Sequence, residues 1–261
     1  MQDSPPPLAT ESGALASMSL SACLTNVFVS PGEVFDSVKA SQPRHANWLV
    51  PAILVIFISW LGAALVLSQD TIKHQLNEVS AKAIEKQIAS KKMPKEQADA
   101  IRAAAEKYGS IGTTISIVAG PVVAAFVSPF WWGLIIWLLG KVAWKGDFSF
   151  MKAVEVAGLA NTIGVVEAVI RSLLIVGQGN LFASPSLALL ISEYDPQNPV
   201  HNLLGVANVM TFWLLAVRSI GLRRLSGVSM GKAALGVYGV WAGYTGLIIG
   251  FGLAMQAIFQ K

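Results

Sequence analysis

Trp48-Leu49-Val50-Pro51-Ala52-Ile53-Leu54-Val55-Ile56-Phe57-Ile58-Ser59-Trp60-Leu61-Gly62-Ala63-Ala64-Leu65-Val66-Leu67-Ser68 contains no Asp, Glu, Lys or Arg. A run of this length suffices to cross a hydrocarbon core of about 30 Å as a helix. Trp48 suits the membrane–water boundary, and Pro51 is tolerated in the first turn. Further long, mainly apolar runs follow at Ile117–Leu139, Ala153–Val176, Leu203–Leu222 and Ala233–Phe259. The expected fold is therefore all-α: a polytopic transmembrane helical bundle of five spans. Composition agrees, since the chain is 54% hydrophobic and only 13% charged, against about 25% charged in soluble domains.

Outside the spans, residues 1–25 are small and polar with Pro5-Pro6-Pro7, and read as a disordered tail. Residues 26–261 form the membrane domain. Its start is marked by Ser30-Pro31-Gly32-Glu33, with Ser30 as N-cap, Pro31 as the first helical residue and Glu33 as capping-box partner. Val29 and Val34 have the spacing of a hydrophobic staple. Val34, Phe35 and Val38 give this short helix an amphipathic face, to lie on the membrane surface or to cover the bundle as a lid. Residues 69–110 read as an extramembrane helical hairpin with a break near Met93-Pro94. Asp70–Tyr108 holds eight Lys/Arg and six Asp/Glu of mixed sign, the pattern of a solvated face.

Charge sets an expected topology. Lys141–Lys152 holds three lysines, Gly177–Asn202 holds no Lys or Arg, and Leu222–Lys232 carries Arg223, Arg224 and Lys232. Basic loops favour the cytoplasm. This places the N-terminus in the cytoplasm and the C-terminus outside, in the cell inner (plasma) membrane. The hairpin, with its eight basic residues, runs against that rule. No basic n-region precedes an apolar run at the N-terminus, so the first span serves as an uncleaved signal.

Polar residues inside spans are costly and must pair or meet water. Glu155, Asn161, Glu167 and Arg171 fall in the third span, Asn208 and Arg218 at the fourth. Glu167 and Arg171, four residues apart, can pair on one face, and Glu155 and Arg218 are expected to face each other. These residues form either a ligand site between spans three and four or interhelical glue. Along the fifth span, Gly236, Gly239, Gly243, Gly246 and Gly250 make a stripe of small residues that lets a helix approach closely. The expected partner is a helix of the same chain, with a second membrane protein or a homodimer as the alternative.

The single cysteine, Cys23, excludes an intrachain disulfide and a cysteine metal site; it reads as a buried thiol. No GxxxxGK[ST], GxSxG or HExxH occurs, and the three histidines are scattered. No catalytic residue, cofactor or metal is expected, and no nucleic-acid partner, since the basic residues sit beside apolar spans. The bilayer is the expected partner.

The chain resembles the Yip membrane family (Ypt/Rab-interacting proteins), in its bacterial branch. The likeness rests on Asn26-Val27-Phe28-Val29-Ser30-Pro31-Gly32-Glu33-Val34-Phe35, on Trp48-Leu49-Val50-Pro51 and on Met93-Pro94-Lys95-Glu96-Gln97. Phe148-Ser149-Phe150-Met151-Lys152-Ala153, Phe212-Trp213, Gly221-Leu222, Leu225-Ser226-Gly227-Val228-Ser229 and Lys232-Ala233 extend it over most of residues 26–258. The resemblance implies five spans with a cytoplasmic N-terminus and brings no catalytic residues. The expected function is non-enzymatic membrane organisation or scaffolding. The alternative is a small transporter or channel built on Glu167, Arg171, Asn208 and Arg218.

Overall fold

The computed structural model describes residues 18–90, 94–191, 194–196 and 198–259. The helices run in the order α1 (Leu20–Asn26), α2 (Pro31–Ala40), α3 (Ala46–Leu67), α4 (Asp70–Ser90), α5 (Lys95–Trp137), α6 (Phe150–Ala160), α7 (Thr162–Gln178), α8 (Pro199–Val206), α9 (Val209–Ser226) and α10 (Met230–Phe259). A π turn, Leu138–Ala143, prolongs α5, and a 3-10 turn covers Leu187–Leu190. The described residues contain no strand beyond an isolated bridge between Ser186 and Asn208.

Among the described residues four stretches are long and apolar enough to cross a membrane: Ala46–Leu67, Ile111–Ala143, Phe150–Gln178 and Met230–Met255. The remaining expected span differs in form. Leu203 belongs to α8, and α9 starts afresh at Val209 because the Asn208 side chain caps it, accepting from the Met210 N–H at 2.8 Å. Gly227, at φ 76°, ends α9 in the left-handed conformation that glycine adopts without penalty. The third expected span is two helices meeting at Asn161. Conversely, α5 runs unbroken from the hairpin into the apolar layer, where two separate helices were expected; Gly109 and Gly112 lie within it without stopping it.

The N-terminal reading needs correction. The structure of residues 1–17 lies outside the described residues, but 20–26 are helical rather than tail, with Cys23 buried. Ser30 makes no side-chain cap, so the capping box does not form. Its carbonyl instead accepts from the Glu33 and Val34 N–H groups at 3.1 and 3.3 Å. Val29 is 77% exposed while Val34 is fully buried, so the staple does not form either. What holds α2 is its apolar face. Val34, Phe35 and Val38 are buried in the main core, making α2 a lid on the bundle.

The centre of the bundle is α6, buried at every residue from Lys152 to Ala160. It packs against α5, α3, α9 and α2. Close approach to α3 depends on Gly158: a Cβ there would lie 2.4 Å from the Trp48 Cα. Pro51 has no N–H for the Asn47 carbonyl, and that carbonyl also faces Gly158. Leu159, Leu215, Leu222, Leu225 and Ile136 fill the space between α5, α6 and α9.

Candidate functional site

Two polar clusters sit inside the bundle, one centred on Glu155 of α6 and one on Asn161, the residue that caps α6. On one side, Glu155 is fully buried and accepts a hydrogen bond from the Asn47 amide of α3 at 2.5 Å. Lys152, one turn earlier, places its ammonium 3.3 Å from the same carboxylate. The ammonium also donates to the Val38 carbonyl at 2.5 Å. A cation at the last turn of α2 satisfies a carbonyl with no helical partner and complements the helix dipole. The Glu155–Lys152 pair therefore ties α2, α3 and α6 together.

On another face, Asn161 accepts from Arg218 Nη2 of α9 at 2.7 Å and donates to Ser128 Oγ of α5 at 3.1 Å. The guanidinium lies over the Trp132 ring, 4.2 Å from its centroid, a cation–π contact that gains strength when desolvated. Arg218 is 3% exposed and has no carboxylate partner among the described residues. Buried atoms without a hydrogen bond here are Arg218 Nε, Glu155 Oε1, Asn47 Oδ1 and Thr162 Oγ1.

The expected Glu155–Arg218 pair does not form. Glu155 and Asn161 point about 120° apart at 3.6 residues per turn, so α6 shows the first to α3 and the second to α5 and α9. Glu167 does not pair with Arg171 either. Its carboxylate accepts from the Asn208 amide at 2.8 Å, joining α7 to the cap of α9, while Arg171 is exposed. The six expected polar residues thus divide among separate places: Glu155 in one cluster, Asn161 with Arg218 in another, Glu167 with Asn208 in a third, and Arg171 at the surface.

Lys152, Asn47, Ser128 and Trp132 were missed. Lys152 was counted as a loop charge, although its spacing of three from Glu155 was a visible signal. Asn47, the last polar residue before an apolar run, was another.

The glycine stripe also departs from expectation. Gly236 packs against Trp144 and Leu139, but a Cβ at Gly239, Gly243, Gly246 or Gly250 would meet nothing within 4 Å. Among the described residues no helix of the chain approaches those four glycines closely, and α9 begins only at Val209. The contact of α9 with α10 lies at Tyr238, whose hydroxyl donates to the Phe212 carbonyl at 2.8 Å, and at Trp241 against Phe212. Leu247, Ile248 and Phe251 are correspondingly exposed.

At the end of the bundle shared by α2 and α9, Arg224 Nη1 bonds Asp36 at 2.7 Å, and Lys39 donates to the Arg224 carbonyl at 3.0 Å. Cys23 is 2% exposed, and burial pushes its thiol pKa up, which suits an inert core thiol. Among the described residues no group of three or more His, Cys, Asp or Glu could hold a metal.

The model of the Yip1 domain family matches residues 25–253. No curated protein and no solved structure matches the chain. The match spans every helix from α2 to α9 and most of α10, and with the long apolar helices it makes this a multi-pass membrane protein. The chain belongs to the Yip1 domain family.

Proposed function

We propose that the protein is a non-enzymatic membrane-organising scaffold of five spans, with its N-terminus in the cytoplasm and its C-terminus outside. It belongs, on this reading, to the bacterial branch of the family and sits in the inner membrane. The fifth crossing is α9. Its 18 residues reach about 27 Å, close to the thickness of the hydrocarbon core. Arg223 and Arg224 lie in its last turn, where long cations reach the interface. The basic segments 141–152 and 222–232 then share the cytoplasmic end with the α2 lid.

One observation carries the scaffold reading: the charged side chains in the interior act as cross-helix ties. Glu155 links α6 to α3, Lys152 links α6 to α2, Glu167 links α7 to the start of α9, and Arg218 links α9 to the α6–α7 junction at Asn161. Groups engaged in this way hold a bundle in one arrangement. A small transporter with a polar site between spans three and four is the second reading. Arg218 favours it, being buried without a carboxylate and with Nε unbonded.

Cysteine accessibility separates the two. In a Cys23→Ala background, single cysteines at Asn198, Ala83 and Glu167 are exposed to a membrane-impermeant thiol reagent on intact cells. Labelling at Asn198 and Ala83 but not Glu167 is the scaffold's result. Labelling at Glu167 as well reveals a water path and favours transport. Labelling at Asn198 only after lysis overturns the topology.

A further inference from the structure

The hairpin helix α4 is anchored at two heights by different neighbours. At its base, α4 leans toward α7: Ile72 is fully buried with Val66, Ile175 and Ala183. The Gln75 amide donates to the Gly179 carbonyl at 2.6 Å, and its oxygen accepts from the Leu181 N–H at 2.9 Å. Near its tip, α4 is held to α5 instead, by two bonds from the Arg102 guanidinium to the Glu85 carboxylate at 2.8 and 2.9 Å. A cavity of about 720 Å³ lies between these anchors, within the range of small-molecule sites.

The small residues Ala81, Ala105 and Gly109 lie along its walls and give it room, and Leu67, Leu76, Ile84 and Ile117 form an apolar strip beside polar residues such as Asn77, Ser80 and Thr113. Leu67 is the last residue of α3, and Ile117 lies inside the apolar stretch Ile111–Ala143. The floor is thus at the depth of the acyl chains, and the upper walls rise beyond the end of the α3 span. On the same stretch of α5, Ile111, Ile115 and Val118 are exposed at 54%, 59% and 49%. Those three lie on the face of α5 opposite Ala105, Gly109 and Thr113, so the cavity meets the acyl layer through its floor, at Leu67 and Ile117.

We propose that this groove takes one acyl chain of a bilayer lipid, drawn upward from the leaflet at the hairpin end of the bundle. From Ile117 to Arg102 it follows α5 for about 22 Å, longer than the about 15 Å half-thickness of a hydrocarbon core. The cations on its rim are already engaged, Lys73 with Asp70 at 2.9 Å and Arg102 with Glu85, so the alkyl chain rather than a headgroup phosphate is what the site recognises. The bilayer presents such chains at the floor continuously, and modest affinity fills the groove. The inference stands apart from the scaffold reading and needs no particular orientation of the termini.

The test uses the full chain in phosphatidylcholine vesicles containing a phosphatidylcholine with a photoreactive diazirine at the end of one acyl chain. Adducts are mapped by mass spectrometry. The expected result is adducts at Ala81 and Ala105, above the bilayer, alongside those at the lipid-facing Leu247 and Phe251. Ala105→Trp, and separately Ala81→Phe from the opposite wall, reduce adducts on the facing wall by about tenfold or more and leave those on α10 unchanged. Adducts confined to outward-facing side chains of wild-type α5 and α10 overturn the proposal. So does an Ala105→Cys variant (in the Cys23→Ala background) that reacts with a water-soluble thiol reagent as fast as Ala83→Cys, because the groove then holds water.

Discussion

Two helices of this bundle use glycine in opposite ways. In α6, Gly158 carries no repeat of its own, yet a Cβ there would lie 2.4 Å from the backbone of α3. In α10, a regular series of glycines runs along one face, and beyond Gly236 a Cβ at each stripe position to Gly250 would meet open space. What makes a glycine structural is the path of the neighbouring helix. Spacing shows that close approach is allowed, and only packing decides whether it occurs. The same contrast holds for polar groups. Those on α6 are enclosed and partnered by distant residues, whereas α10 ties to the bundle through the partly exposed Tyr238 hydroxyl on the Phe212 carbonyl.

The largest effect is expected where α6 buries charge. Lys152→Ala leaves the Glu155 carboxylate fully buried without its cation, and breaking one partner of such a pair costs about 3–5 kcal/mol. The double replacement Lys152→Met with Glu155→Leu recovers much of that loss, because a buried ion pair replaced by apolar groups of similar volume is often neutral. Thermal unfolding of the purified protein in detergent measures both. A Lys152→Ala protein as stable as the parent would show that the pair is not enclosed.

Next comes Gly158→Val. The obstructing atom belongs to the Trp48 backbone, which cannot rotate aside, so the helices must separate. Overpacking of this kind costs about 1–3 kcal/mol. The paired control is Gly243→Val, which is expected to leave the melting temperature within error. Equal losses at the two sites would erase the distinction between α6 and α10.

Much of the architecture was legible because it rests on local properties. Apolar runs longer than a turn or two must bury their backbone bonds as helix when they enter lipid, so the helices around Trp48–Ser68, Ile117–Leu139 and Ala233–Phe259 were visible in the letters. The Ser30-Pro31 start of α2 was local too, although the cap itself did not form. Partner choice was not legible. Glu155 and Asn47 are separated by 108 positions, and Arg218 and Asn161 by 57. Whether Glu155 turns toward α3 or α9 depends on the rotation of α6 about its axis, which the complete packing sets. Hydropathy also misses breaks: Asn161 and Asn208 interrupt apolar runs through caps and turns that barely alter the mean.

A smaller effect is expected at the lid. Asp36→Ala removes the Arg224 ion pair, whose side chains are 44% and 38% exposed. Partly solvated pairs contribute about 0.2–1 kcal/mol, and the Lys39 bond to the Arg224 carbonyl and the buried Val34, Phe35 and Val38 remain. The lid should therefore stay closed, with Cys23 still protected from a thiol reagent. Rapid modification of Cys23 in Asp36→Ala would mean that the charge pair, not the apolar face, holds α2.

The smallest effect on the monomer is the one that tests α10 most directly. Gly243→Leu adds a large side chain where nothing lies within 4 Å, and substitutions that touch nothing stay within about ±0.5 kcal/mol. If the stripe faces only lipid, melting temperature and hydrodynamic size in mild detergent both remain at parental values, since leucine suits lipid as well as glycine does. A melting temperature that holds while a larger species shrinks to the monomer would mean that another copy covers the stripe. Close helix approach through small residues would then operate between chains in α10 as it does within the chain at Gly158.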